Sequence, residues 1–250
     1  MPEPLLPVLQ AVAAQAYTLA GRAAFETRDD AASRALYAEA TAAAGAAGQP
    51  WRRAVVHMSH ALVTLYSAPG LDAAQRLVDA AVRDARAGES TVVRARAHAL
   101  QAEIAARSGA EKQAKAALAL AWYDMDRDGD PAGTSFSAAH LRGFDGIMQL
   151  HVGDPGAAHD HFAGSAAALS APRERVQQAI VATDQALARI RLDEPQAAAV
   201  LLHGCVTAAA STGGRVPALR IKAARRELRP WRREKRFADL DDRLIDVLGS

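Results

Sequence analysis

Few residues in this 250-residue chain have types and spacing that suggest chemistry. Asp124, Asp126 and Asp128 alternate ahead of Gly129. That is how a calcium loop begins, with oxygen ligands at alternate positions and glycine at the sixth. The twelfth position should be a bidentate Glu and is Ser135; the eighth, usually apolar, is Pro131. The match fails where charge and geometry matter most, so the segment reads as a structural loop. His57 and His60 lie three apart and can share a helix face. Two imidazoles fall short of the three or four ligands zinc takes, and no Glu lies between them. His159 and His161, two apart, point in different directions on a helix. Cys205 is the single cysteine, with no His or basic pair nearby in sequence to activate it. The chain has neither a Gly-rich phosphate loop nor a Gly-x-Ser-x-Gly turn. Without a convergent acid, base and nucleophile, the expectation is a protein that is not an enzyme, with no catalytic residue, metal or cofactor.

The other chemical feature is charge. Net charge is +2, yet residues 215–236 hold ten Lys/Arg against two Glu, leaving the rest at −6. Arg225, Arg226, Arg229, Arg232, Arg233 and Arg236 surround Trp231. One reading is a basic helix for nucleic acid or an acidic partner. The other is a capping helix whose arginine stems cover alanine-rich surface while Trp231 seals the end of the core.

The elements that must position these residues are helices. Apolar residues make up 50% of the chain, much of it alanine, and aromatics only 5%. Alanine has the highest helix propensity and lets helices approach closely. Strand-like alternation is almost absent. A pattern of small, larger apolar and small residues returns five times: Ser33/Tyr37/Ala40, Ala74/Val78/Ala81, Ala114/Leu118/Ala121, Ala158/Phe162/Ser165 and Ala198/Leu202/Cys205. Successive copies start 41, 40, 44 and 40 residues apart. A fixed period of this size marks a solenoid, each unit burying its apolar face on its neighbours. The spacing predicts helix pairs over 5–47, 51–87, 90–124, 135–169 and 172–211, and a cap over 216–248. Residues 126–134 supply the insertion that stretches one interval to 44, and should protrude as a loop. Asp29 is placed to cap the second helix. Pro155 and Pro195 begin helices behind acidic residues suited to capping.

Twelve residues before each triplet lie Gly21, Leu62, Ala102, Gly146 and Ala186. Four are small, as close helix crossing needs, and Ala61 beside Leu62 suggests a one-residue slip. With Gly109, Gly153 and the shifted Gly70 at turns, the chain resembles tetratricopeptide (TPR) repeats. The stretch from Arg215 to Trp231, with Phe237 to Leu244, is similar to the end of a family of actinobacterial transcription regulators. Those carry a helix-turn-helix ahead of a TPR-like array. Here the first repeat begins almost at Met1, so DNA binding is not carried over, and direct nucleic-acid binding is not expected without that reader.

The resemblance implies an all-α, right-handed α-solenoid of five TPR-like helix pairs with capping helices, one domain over 1–250. It also implies a groove lined by the first helix of each pair. Counted by repeat position, Arg22, Tyr66, Arg96, Glu103, Arg107, His140 and His151 face it. This polar, positively biased set would suit a peptide, a protein or a small anionic ligand, since arginine grips carboxylate and phosphate bidentately. The expected role is a sensor or interaction module in transcriptional regulation, with self-association into a homodimer compatible with it. A constitutive adaptor and a nucleic-acid binder acting through the basic end are the rivals. The lone cysteine, the lack of a signal sequence at Met1–Pro4 and the lack of a membrane span lead to a cytoplasmic expectation.

Overall fold

The structure, a computed structural model, describes residues 5–126 and 135–248, except for the side chains of Thr212, Arg236, Val247 and Leu248. Among the described residues there are twelve α-helices and no strands, and helices adjacent in sequence pack in pairs. They fall into two compact units, Met1–Ser137 and Ala138–Ser250.

The first unit holds three hairpins. They are α1 (Leu6–Glu26) with α2 (Asp30–Ala46), α3 (Pro50–Ser67) with α4 (Asp72–Ala87), and α5 (Thr91–Arg107) with α6 (Glu111–Met125). Helix α3 also touches both α1 and α5. The second unit holds α7 (Ala138–Val152) with α8 (Pro155–Ala168), then α9 (Arg175–Arg191) with α10 (Pro195–Thr212). It ends in α11 (Arg215–Glu227) and α12 (Lys235–Leu248), with a 3₁₀ turn at Arg229–Trp231 between them. Helix α11 packs on α9, and α12 on α10.

All fifteen residues of the five triplets are buried. Their partners on the preceding helices are buried too: Gly21, Ala102, Gly146 and Ala186. In the second hairpin Ala61 is fully buried while Leu62 is half-exposed, the burial expected of a one-residue slip. Small residues there let a bulky one enter from the second helix. Tyr37 and Phe162 fill the space over Gly21 and Gly146, and Ser33 Oγ donates to the Gly21 carbonyl at 2.8 Å. Each such large side chain contributes about 2 kcal/mol by leaving water.

Caps follow the sequence in part. Asp29 Oδ1 accepts from the Ala32 amide and Asp154 Oδ1 from the Ala157 amide, both at 2.9 Å. Glu194 stands at the equivalent position before Pro195 but does not cap, because Arg189 draws its carboxylate away. The hairpin turns share one backbone conformation. Gly109 and Gly153 each lie five residues before their triplet with positive φ, and Gly70 lies four before. Arg28 and Asp193 hold the same place in the first and fifth hairpins, at φ of 66° and 58°. The expected protruding loop lies outside the described residues apart from Asp126.

Helix α1 and the residue before it also carry exposed apolar side chains, Leu5, Val8, Leu9, Val12 and Leu19. No helix among the described residues is long and apolar enough to cross a membrane.

Candidate functional site

The first unit brings several predicted groove residues onto α1, α3 and α5. Arg22 on α1 donates from Nε to Glu26 Oε1 at 2.8 Å and lies over the Phe25 ring. Glu103 on α5 is buried and accepts two bonds from Arg107, at 3.0 and 2.7 Å. One turn of helix separates them, so the carboxylate is neutralised within its own helix. Tyr66 is half-buried on α3.

Arg96 differs from the other predicted arginines. It is half-buried on α5 and has neither a carboxylate nor a hydrogen-bond acceptor among the described residues. Burial lowers the pKa of its guanidinium, and the positive charge of Arg22 acts in the same direction. Two cations on first helices of this unit, α1 and α5, therefore repel each other in a partly desolvated setting. Only Arg22 has an acidic partner to offset this. An anion placed between them would relieve the repulsion and satisfy the free N–H groups.

His140 and His151 belong to the second unit, on α7, half-buried and exposed respectively.

The other sequence candidates separate. His57 and His60 turn to different partners. His57 Nε2 lies 3.5 Å from Asp84 Oδ2, and the His60 ring stacks on Tyr37 with centroids 4.6 Å apart. Burial depresses both imidazoles, His60 to about 4, with the neighbouring charges of His57 and Arg34 adding to the shift. His159 accepts from Arg189 at 2.8 Å if its Nε2 is unprotonated. Cys205 is buried, and desolvation raises its thiol pKa, opposite to what a nucleophile needs. Asp124 is held by Arg94 at 2.8 Å, and Asp128 and Gly129 lie outside the described residues.

Sequence reasoning missed a set of ion pairs, each holding a buried aspartate, that tie second helices to first helices. Arg53 grips Asp84 through Nε and Nη2, at 2.8 and 2.5 Å. Arg94 repeats this on Asp124, at 2.9 Å from Nε. Both arginines have raised pKa values, chiefly through those hydrogen bonds. The signal was present: the arginines are 41 residues apart and the aspartates 40. A third buried pair, Arg220 with Asp184, joins α11 to α9.

The basic end of the second unit forms an open pocket of about 440 Å³ between α11, the 3₁₀ turn and α12. Its floor is Leu228, Phe237 and Leu240, all buried members of the core that Trp231 also packs against. Arg225 on its rim is clamped by Asp241, with Nη2 to Oδ2 at 2.7 Å, which raises the arginine's pKa. Arg229 and Arg232 also line it; both are exposed and have no acidic partner among the described residues. Arg226 and Arg233 are exposed outside the lining, and the Arg236 side chain lies outside the described residues.

Compared with models of protein families and with curated proteins, the chain matches none.

Proposed function

We propose that the chain is a TPR-like α-solenoid of five helix pairs with a C-terminal cap. In this reading it is a non-enzymatic interaction or sensor module that holds an anionic peptide or small ligand on its first helices. Transcriptional regulation is the setting that the C-terminal resemblance favours.

The observation that supports the reading is Arg96. A half-buried guanidinium without a carboxylate, set near the charge of Arg22, is costly to keep and is stabilised by a bound anion. The phased burial of all five triplets supports the repeat architecture. In such an array each hairpin contacts only its neighbours, so a ligand spanning first helices biases their stacking.

Immobilised protein and its Arg96→Ala variant, each incubated with cell extract, test the reading by mass spectrometry of bound peptides and metabolites. Anionic ligands held by the native protein and lost from the variant are expected. If every recovered ligand stays on the variant, Arg96 is not the anchor.

A further inference from the structure

We infer that the apolar face of α1 is a dimer interface, on which a second copy of this chain lays the same face. The seam is Leu5, Leu9, Val12, Ala16, Leu19 and Ala23. Its large residues run from Leu5 to Leu19, with Val12 midway.

Spacing sets the face. The six residues follow one another at intervals of four, three, four, three and four. That is the 3.5-residue period by which one helix meets another along its length. Leu5 belongs to it because its backbone is already helical, at φ −84° and ψ −26°. All six are exposed, and the buried residues of α1, Ala11, Ala14, Gly21 and Phe25, lie on the other side.

The following hairpins show what such a face meets. Counted from the small residue at each crossing, Leu19 of α1 corresponds to Ser59 of α3 and Leu100 of α5. Ser59 Oγ lies 2.7 Å from Tyr37 Oη, on the hairpin before its own. Val56 and Val63, beside it on that face, are buried. On α5 the same positions are Val93, Ala97, Leu100 and Ile104, all buried, and α5 touches α3 and α4 of the preceding hairpin. Val12, Ala16, Leu19 and Ala23 are thus the face that later hairpins bury on the one before. In α1 it is exposed.

Two properties select a second copy to cover it. The first is charge. No Asp, Glu, Lys or Arg lies between Leu5 and Gly21. The face therefore matches itself: two copies bring no like charges together and strand no ion. A charged partner surface would leave its ions desolvated there. The second is area. Leu5, Val8, Leu9, Val12 and Leu19 are 48–71% exposed. With the alanines between them they offer roughly 600 Å² per copy, so an isologous pair buries roughly 1,200 Å², where specific interfaces begin. The seam includes neither Arg22 nor Arg96, and pairing does not require a bound anion.

Sedimentation equilibrium of the full chain should show monomer and dimer with a dissociation constant of about 1–10 µM. Val12→Glu sets two carboxylates against each other in mid-seam and should weaken the dimer at least ~100-fold. The position is exposed and glutamate has the better helix propensity, so the circular dichroism spectrum should be kept. Val12→Lys should fail likewise, and an equimolar mixture of the two variants should recover at least ~10-fold in association. Val200→Glu, at an exposed valine of the second unit, and Arg96→Ala should leave the dimer unchanged. A chain that stays monomeric to about 100 µM overturns the assignment, whether or not α1 takes up another protein. An undiminished dimer in Val12→Glu, or a mixture that does not recover, overturns it as well. So does loss of the dimer in Val200→Glu or Arg96→Ala, or growth past the dimer into open-ended assemblies.

Discussion

Gly146 of α7 lies so close beneath the Phe162 ring of α8 that a Cβ on it would come within 2.6 Å of the ring carbons. The two helices meet at this point because one residue has no side chain and the other fills the space. Gly21 and Tyr37 repeat the arrangement less tightly, with a Cβ 3.0 Å from the ring.

Gly146→Ala is therefore expected to destabilise the second unit by about 2 kcal/mol through overpacking. Gly21→Ala should cost less, since its neighbour needs to yield only slightly. Urea unfolding measures both. Adding Phe162→Leu to Gly146→Ala should recover part of the loss, and failure to do so would place the strain elsewhere.

Arg28 and Asp193 occupy the left-handed turn position that glycine fills in other hairpins. A side chain there is strained at the Cβ, at roughly 1 kcal/mol. Arg28→Gly and Asp193→Gly are expected to raise stability by about that amount, less what glycine's greater freedom in the unfolded chain takes back. Gly109→Ala and Gly153→Ala should move it the other way. Thermal unfolding midpoints of the four variants give the comparison.

His60 supplies a pH dependence. Burial against Tyr37 holds its imidazole at about 4, while an unfolded chain titrates near 6.5. Between those values the unfolded chain takes up a proton that the folded chain refuses. Its contribution is thus complete above about pH 6.5 and falls away as pH drops toward about 4. The loss should be about 2 kcal/mol after allowing for the part of the ring that meets solvent. His57 and His98 are depressed in the same direction, also by burial, and add to the slope. Urea midpoints across that range, compared with His60→Phe, isolate the share of His60. The variant keeps a ring on Tyr37 and should flatten the profile.

What was legible in the sequence was volume. Ser33, Tyr37 and Ala40 and their four echoes are confined by helix crossings, where a change of size is felt at once, so their pattern survives and reports the helix pairs. The turn at Arg28 was not legible, because the left-handed conformation is set by the hairpin that closes around it, and arginine gives no sign of it. Glu194 resembled a cap and is not one, since a nearby arginine competes for its carboxylate. Asp124 read as the opening of a calcium-like loop and Asp84 carried no signal by itself; both turn out to be buried. The separateness of Arg96 is still harder to foresee. A missing partner is a property of everything around a residue, and of no residue by itself.

The two matching ion pairs make part of the first unit interchangeable. Arg53 stands eight residues before Ala61, as Arg94 does before Ala102, and Asp84 and Asp124 each stand ten after the start of a triplet. Splicing the chain from Arg53 directly to Ala95 removes one whole hairpin's worth of sequence and sets Arg53 opposite Asp124. The buried carboxylate keeps a cation and the helix crossing keeps its alanine. Hairpin number can thus change by unequal exchange between neighbouring copies without stranding a charge, so the reach of this unit can be lengthened or shortened in whole steps.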